Sequence, residues 1–410
     1  MTEQETSFPK GKMNVLLLEG IHDQAQEAFK EEGFPVESFK RGMGEEELKE
    51  RIGEIYILGI RSKTKLTAPV FSGAKKLLVV GAFCIGTEHI DLAAASKRGV
   101  AVFNDEFSNT RSVAELALVQ AASLLRRLPE KNAQMHRGLW NKSVDGAREL
   151  RGRTLGIIGY GKIGSQLSVL AESLGMQVIF YNTSETLALG NAKKAESMEE
   201  VLRAADIVSI HVDGRPSNRN LIGANQFELM RDEAVFLDLS RGFVTDQEAL
   251  AEYLRTGKLK GAAIDVHRSE PEGNNVEFTS PLQDLDNAII TPHIGGSTIE
   301  AQEDIARFVS GKIVSFINSG DTRLSVNYPE IQLPPQPDAH RFLHLHRNVP
   351  GVMAEVTSIF GQRGINILGQ YLQTSGDLGY VITDVNKEYD KEVVEELKGV
   401  TGTIKFRVLY

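Results

Sequence analysis

Residues 154–182 read TLGIIGYGKIGSQLSVLAESLGMQVIFYN. TLGII is a short apolar run of strand type. Gly159-Tyr160-Gly161-Lys162-Ile163-Gly164 fits G-x-G-x-x-G and opens a helical run that ends at Gly175. A second apolar run, MQVIFYN, ends about twenty residues after the glycines, as a dinucleotide-binding unit requires. The three glycines have separate tasks: a tight turn, close backbone approach to a pyrophosphate, and close packing of helix on strand. The helix N-terminus adds free N–H groups and a positive dipole end for the phosphates. Asn182 takes the place where an acid would grip the ribose hydroxyls and repel a 2′-phosphate. An amide accepts a hydroxyl but repels nothing, and Thr183, Ser184 and Glu185 follow instead of an arginine. The expected cofactor is therefore NAD, with discrimination against NADP left open.

Outward from this unit, IVSIHV, AVFLDLS, GAAIDV and AIITPHI bring the strand signals to six, a doubly wound sheet. Upstream, MNVLLLEG, EIYILGI, KLLVVGAF and VAVFN alternate with helical runs and predict a second parallel sheet. Residues 108–128 read as one long helix stopped at Pro129, and a further long helix follows Gly296. Residues 327–338, NYPEIQLPPQPD, predict an extended linker. The tail beyond it reads βαββαβ, the split ferredoxin-like order. The fold class is α/β, with a Rossmann-type domain, a second doubly wound domain and a small C-terminal module.

The bulk numbers agree. A chain of 410 residues with 41% hydrophobic and 25% charged content has room for several ordinary globular domains. No apolar run approaches the roughly 20 residues needed to cross a bilayer. The opening MTEQETSFPKGK has no apolar core, so it does not read as a signal peptide. One cysteine, Cys84, excludes an internal disulfide and a cysteine metal cluster; it fits the cytoplasm and reads as a small buried hydrophobe. A net charge of -9 without a long basic run argues against nucleic acid. An anionic substrate then needs a local cluster of cations.

Three motifs lie downstream of the glycines, each just past a strand: Ser240-Arg241-Gly242, Asp265 to Pro271 (DVHRSEP), and Thr291 to Gly296 (TPHIGG). Ligands bind at that end of such sheets. Oxidising a hydroxyl by hydride transfer needs a base for the O–H proton, and histidine titrates in the useful range. A carboxylate beside it fixes the tautomer and stabilises the imidazolium. A guanidinium holds a substrate carboxylate bidentately. These needs assign His293 as acid and base, Glu270 as its partner and Arg241 as carboxylate anchor.

With CIGTEHIDL, FSNTRSVAEL, HRGLWNK, the glycine-rich unit, SRG, GAAIDV, SEP and TPHIGGST in view, the chain resembles the D-isomer-specific 2-hydroxyacid dehydrogenases. The resemblance runs over nearly the whole chain and points to its phosphoglycerate-oxidising branch. It implies a flavodoxin-like substrate domain split over 1–108 and 296–328, an inserted NAD domain at 109–295, a linker at 329–338 and an ACT domain at 339–410. It implies that Ser240, Asp265 and His293 belong to the cofactor site, with Asp265 on the nicotinamide carboxamide. The substrate is expected to be 3-phosphoglycerate, with its carboxylate against Ile85 and Gly86 and with Arg61 and Asn109 in the phosphate pocket. Lys40, Trp140 and Lys142 are further candidates across a subunit contact. Reduction of 2-oxoglutarate is a second expected activity.

The resemblance also implies that the ACT tail binds L-serine between paired domains, through His346, Asn348 and Asn366, in a tetramer. This chain departs from the pattern with Arg347 and Val349 around Asn348. From the residues alone, two other readings stay open. One is a dehydrogenase for lactate, glyoxylate or erythronate phosphate; the other is a non-catalytic NAD-sensing interaction protein.

Overall fold

The computed structural model describes residues 9–271, 273, 275–334, 336, 339–386 and 391–409. The chain forms two compact units, one of residues up to Glu106 together with Gln302 onward, the other spanning Phe107–Ala301. The first unit begins with β1 (Asn14–Leu17), α1 (Asp23–Glu31), β2 (Val36–Ser38), α2 (Glu45–Arg51), β3 (Ile55–Ile60), α3 (Ala68–Gly73), β4 (Val79–Ala82), α4 (Leu92–Lys97) and β5 (Ala101–Asn104). The strands pair in parallel in the order β2-β1-β3-β4-β5, the flavodoxin-like arrangement. Alternate side chains serve opposite faces, and both are buried. Leu16, Leu58, Val80 and Val102 enter one core, while Leu17, Ile57, Val79 and Phe103 enter the other. The sequence reading had no strand at 36–38; this three-residue edge strand exposes most of its length and lacks an apolar run.

The second unit holds α5 (Thr110–Leu125), α6 (Leu128–His136), β6 (Thr154–Ile158), α7 (Lys162–Ser173), β7 (Gln177–Tyr181), β8 (Lys193–Lys194), α8 (Met198–Ala204), β9 (Ile207–Ile210), α9 (Ala224–Leu229), β10 (Ala234–Asp238), α10 (Gln247–Arg255), β11 (Leu259–Ile264) and β12 (Ala288–Ile290). The order β12-β11-β10-β9-β6-β7-β8 makes one parallel sheet of seven strands. It contains the Rossmann order, extended by one strand. Helices cover both faces, so its strands are apolar runs. Pro129 does not stop a helix. α5 ends at Leu125, Arg127 takes a left-handed φ of 55°, and Pro129 lies in the first turn of α6, where its missing N–H costs nothing.

The chain returns through α11 (Ile299–Ser319) to the first unit. There β13 (His340–Arg347), α12 (Val352–Gln362), β14 (Ile367–Ser375), β15 (Leu378–Val385), α13 (Lys391–Lys398) and β16 (Thr403–Leu409) form an antiparallel sheet ordered β14-β15-β13-β16. One face carries α12 and α13 on Phe342, Val385 and Val408. On the other, Leu343, Leu345 and Tyr380 share a core with Phe316 of α11. The buried Arg341 guanidinium donates to both Asp384 carboxylate oxygens at 2.7 Å and to three backbone carbonyls, so all its donor nitrogens are satisfied. Part of the expected linker, residues 335, 337 and 338, lies outside the described residues. No helix among the described residues is long and apolar enough to cross a membrane.

Candidate active site

The glycine turn between β6 and α7 shows why each glycine is there. Gly159 has φ 93°, and a Cβ on it would lie 2.5 Å from the His211 carbonyl oxygen. A Cβ on Gly164 would lie 2.5 Å from the Gly159 oxygen, which lets α7 sit hard against the turn. Gly161 caps α7 and a Cβ there would meet nothing within 4 Å. A bare helix N-terminus with open space in front fits a pyrophosphate. The residues between the glycines differ in fate. Lys162 is exposed and its ammonium lies 3.8 Å from the Phe107 ring centroid. Ile163 packs on the domain core. The Tyr160 side chain is fully buried, stacks on Phe180 at 3.8 Å and hydrogen-bonds Ser168 at 2.7 Å. Only its backbone belongs to the turn.

At the end of β7 the Asn182 amide donates to Thr186 Oγ1 at 2.7 Å and Ser184 Oγ at 3.1 Å. Its NH2 group is thereby engaged by its own loop.

The three motifs expected to be catalytic emerge at one edge of the sheet because β10, β11 and β12 are neighbours in register, with Asp238 beside Ile264 and Ile264 beside Ile290. After β10, buried Asp238 accepts the N–H of Ser240 at 2.9 Å, its hydroxyl at 2.5 Å and the Thr245 hydroxyl at 2.6 Å. Burial pushes the Asp238 carboxyl above its ordinary range, and these hydrogen bonds oppose the shift. The Ser240 hydroxyl is therefore turned inward, and the residue is 3% exposed. Asp238 builds the turn that presents half-buried Arg241, whose Nη1 donates to the Ser240 carbonyl at 2.9 Å. Gly242 is required, since a Cβ there would lie 1.9 Å from the His267 carbonyl oxygen.

After β11, Asp265 is 1% exposed and accepts from Thr291 Oγ1 at 2.6 Å, Ile294 N at 2.9 Å and Gly295 N at 2.7 Å. Its observed work is to shape the loop that carries His293. His267 helps: its Nε2 donates to the Thr291 carbonyl at 3.0 Å. Glu270 then bridges the two loops. One carboxylate oxygen accepts the His267 N–H at 3.0 Å and the other accepts His293 Nδ1 at 2.7 Å. The Glu270 hydrogen bond raises the His293 pKa above its ordinary value, outweighing partial burial. Burial acts to raise the Glu270 carboxyl, but the hydrogen bond and charge of His293 hold it below its usual range. Glu270 thus engages Nδ1 of the ring and not Nε2. Positive charge on Arg241 also reaches His293 and lowers its pKa slightly against the Glu270 effect.

Asn109 starts α5 in the same unit, packed so close to the catalytic loop that a Cβ on Gly296 would lie 2.3 Å from its Nδ2. In the first unit, half-exposed Arg61 follows β3. Ile85 and Gly86 follow β4, where Asn104 donates to the Ile85 carbonyl at 2.6 Å and Cys84 Sγ to that of Gly86 at 3.2 Å. Cys84 is half-buried and packs against the core of the first unit, so its reading as a small hydrophobe holds with only partial burial. Of the effector candidates, Asn348 and Asn366 are exposed, whereas His346 is 2% exposed with Nδ1 donating to the Arg347 carbonyl at 2.7 Å. Sequence reasoning missed Asp238, His267 and Asn104. Each lies at or just past the end of an apolar strand, a place where a buried polar residue signals loop support.

A nucleotide turn and a paired His–Glu with a guanidinium, all at the C-terminal edge of one Rossmann sheet, define a nicotinamide-dependent dehydrogenase of hydroxy acids. Residues 117–295 match the model of the D-isomer specific 2-hydroxyacid dehydrogenase NAD binding domain, and 342–405 match that of the AHAS small subunit-like ACT domain. The chain is 48% identical over 407 residues to D-3-phosphoglycerate dehydrogenase of Haemophilus influenzae, covering 99% of both chains. It is 46% identical over 409 residues to the enzyme of that name from Escherichia coli K12, covering 99% of this chain and 100% of the other. Among solved structures, D-lactate dehydrogenase from Aquifex aeolicus, complexed with NAD and lactic acid, superposes with a TM-score of 0.65 at 26% identity. That match covers 74% of this chain and 95% of the other. The chain belongs to the D-isomer-specific 2-hydroxyacid dehydrogenases and, among them, to the D-3-phosphoglycerate dehydrogenase family. It is an NAD-dependent oxidoreductase with a C-terminal ACT domain.

Proposed function

We propose that the chain oxidises D-3-phosphoglycerate to 3-phosphohydroxypyruvate, the entry to L-serine biosynthesis, and that L-serine restrains it through the ACT domain. The observation that carries the chemistry is the 2.7 Å Glu270–His293 hydrogen bond at the strand edge that also bears Arg241. Bound NAD supplies the hydride acceptor. Arg241 grips the substrate carboxylate and turns the 2-hydroxyl toward His293. Nε2 of His293 takes the hydroxyl proton, while Glu270 stabilises the imidazolium that forms. In reverse the same nitrogen returns the proton, and a keto acid such as 2-oxoglutarate is a second acceptor.

The further assignments rest on the family likeness and on chemistry. Asp265, alongside shaping its loop, faces the carboxamide of the nicotinamide. Ile85 and Gly86 offer backbone N–H groups to the carboxylate, and Arg61 with Asn109 takes the phosphate. The working division is a substrate domain of 1–108 and 296–328, an NAD domain of 109–295, a linker of 329–338 and an ACT domain of 339–410, in a cytoplasmic homo-tetramer. Asn348 and Asn366 are the exposed amides available to a zwitterion, with His346 behind them. The test is NADH oxidation with 3-phosphohydroxypyruvate beside glyoxylate, with and without L-serine. The reading expects preference for the phosphorylated acid and slowing by serine. Preference for glyoxylate removes the phosphate pocket, and indifference to serine removes the regulatory role.

A further inference from the structure

Two turns of the first unit carry cations: Arg61 after β3, read above as a phosphate ligand, and Lys40 after β2, named above as a candidate across a subunit contact. Glu19, just past β1, is tied to both turns. Its N–H donates to the Arg41 carbonyl at 3.0 Å, and the Gly20 N–H to that of Phe39 at 3.0 Å. Its carboxylate accepts the N–H groups of Lys63 at 2.9 Å and Thr64 at 2.8 Å. The chain after Arg41 then lies over this side chain, since a Cβ on Gly42 would meet Thr64 Oγ1 at 3.1 Å and Glu19 Cγ at 3.6 Å.

Glu19 is 9% exposed and holds a left-handed φ of 64°. A buried carboxylate on a backbone conformation that side chains disfavour is costly, and such strain persists where the surroundings enforce it, often at binding sites. Here the cost is offset by two charge-assisted backbone hydrogen bonds. Both oxygens are used, one per N–H. An amide in their place keeps one acceptor and sets an NH2 against the other N–H.

We propose that Glu19 is the positioning residue of the phosphate pocket: it locks the turn bearing Arg61 to the turn bearing Lys40. The inference rests on the reading of Arg61 as a phosphate ligand. Glu19 does not touch substrate and acts through Arg61.

The test uses the full-length enzyme and 3-phosphohydroxypyruvate. In Glu19→Gln, KM for that substrate rises about tenfold, the equivalent of one buried hydrogen bond to a charged group. The kcat stays within about threefold, and the NADH dissociation constant is unchanged. Glu19→Gly, which relaxes the left-handed strain while deleting the carboxylate, gives the same KM rise if the Gln variant folds poorly. In an Arg61→Ala background the Glu19 change adds nothing further, because it acts through that arginine. A folded Glu19 variant with wild-type KM, or additive effects in the double variant, overturns the proposal while leaving the pocket intact. A wild-type KM in Arg61→Ala overturns the pocket reading and this proposal with it.

Discussion

At the scale of single residues, the proposed reaction depends on how His293 is held. It sits at φ 54°, a strained conformation for a non-glycine residue, and loops fixed by Asp265 and His267 keep it there. Glu270 raises its pKa, and the sign of the consequence differs by direction. Oxidation needs the neutral imidazole, so its rate rises as pH climbs through the raised value; reduction needs the imidazolium and fades over the same window. Glu270→Gln removes the raising interaction and leaves the burial that lowers the pKa. The midpoint in the kcat/KM profile for oxidation should therefore move to lower pH, with a drop in rate from the lost imidazolium support. An unmoved midpoint would mean that another group titrates in the profile. Asn182 governs the second residue-scale prediction. Its NH2 group is tied to Ser184 and Thr186, so in the proposed ribose-facing role it offers an uncharged acceptor and exerts no repulsion on a 2′-phosphate. Asn182→Asp should weaken NADPH binding about tenfold or more relative to NADH, measured by ligand fluorescence. An unchanged ratio would place the discrimination elsewhere. The assignment of His293, Glu270 and Arg241 could be made from the sequence because a proton acceptor, its partner and an anion clamp are specific types in a specific order, and the structure pairs the first two at 2.7 Å. The inward orientation of the Tyr160 and Ser240 side chains was not legible, because a motif letter does not say which way its side chain faces.

Among elements, β6, α7 and β7 were legible from the glycine spacing and the apolar runs, and so were the register-matched ends of β10, β11 and β12. Among the elements that escaped, three have no apolar signature: the exposed edge strand β2, the two-residue β8 of consecutive lysines, and the break between α5 and α6. That break matters for assembly. After it the chain exposes Met135, Leu139, Trp140 and Val144, with Trp140 78% exposed. Separately, β14 is an edge strand whose Tyr371 and Leu372 are exposed. Unpaired edges and apolar clusters of this kind are ordinarily covered. Sedimentation equilibrium should therefore show an oligomer that Trp140→Arg shifts toward smaller species. A chain that sediments as a monomer would remove the tetramer from the account.

For the molecule as a whole, the claim is that a Rossmann sheet, a flavodoxin-like sheet and an ACT module act as one regulated dehydrogenase. The fold class was legible throughout, because each module has its own strand and helix periodicity. The close packing of the ACT sheet onto the core around Phe316 was not, because no local pattern announces which face of a sheet finds which helix. The most direct measurement is NADH oxidation with 3-phosphohydroxypyruvate by the wild-type chain and His293→Ala, with NADH affinity determined for both. The account predicts turnover by the wild type, a loss of roughly a thousandfold in the variant, the range of a general acid–base residue, and equal NADH binding. Equal turnover by the two proteins, or none by the wild type while NADH binds normally, would contradict it.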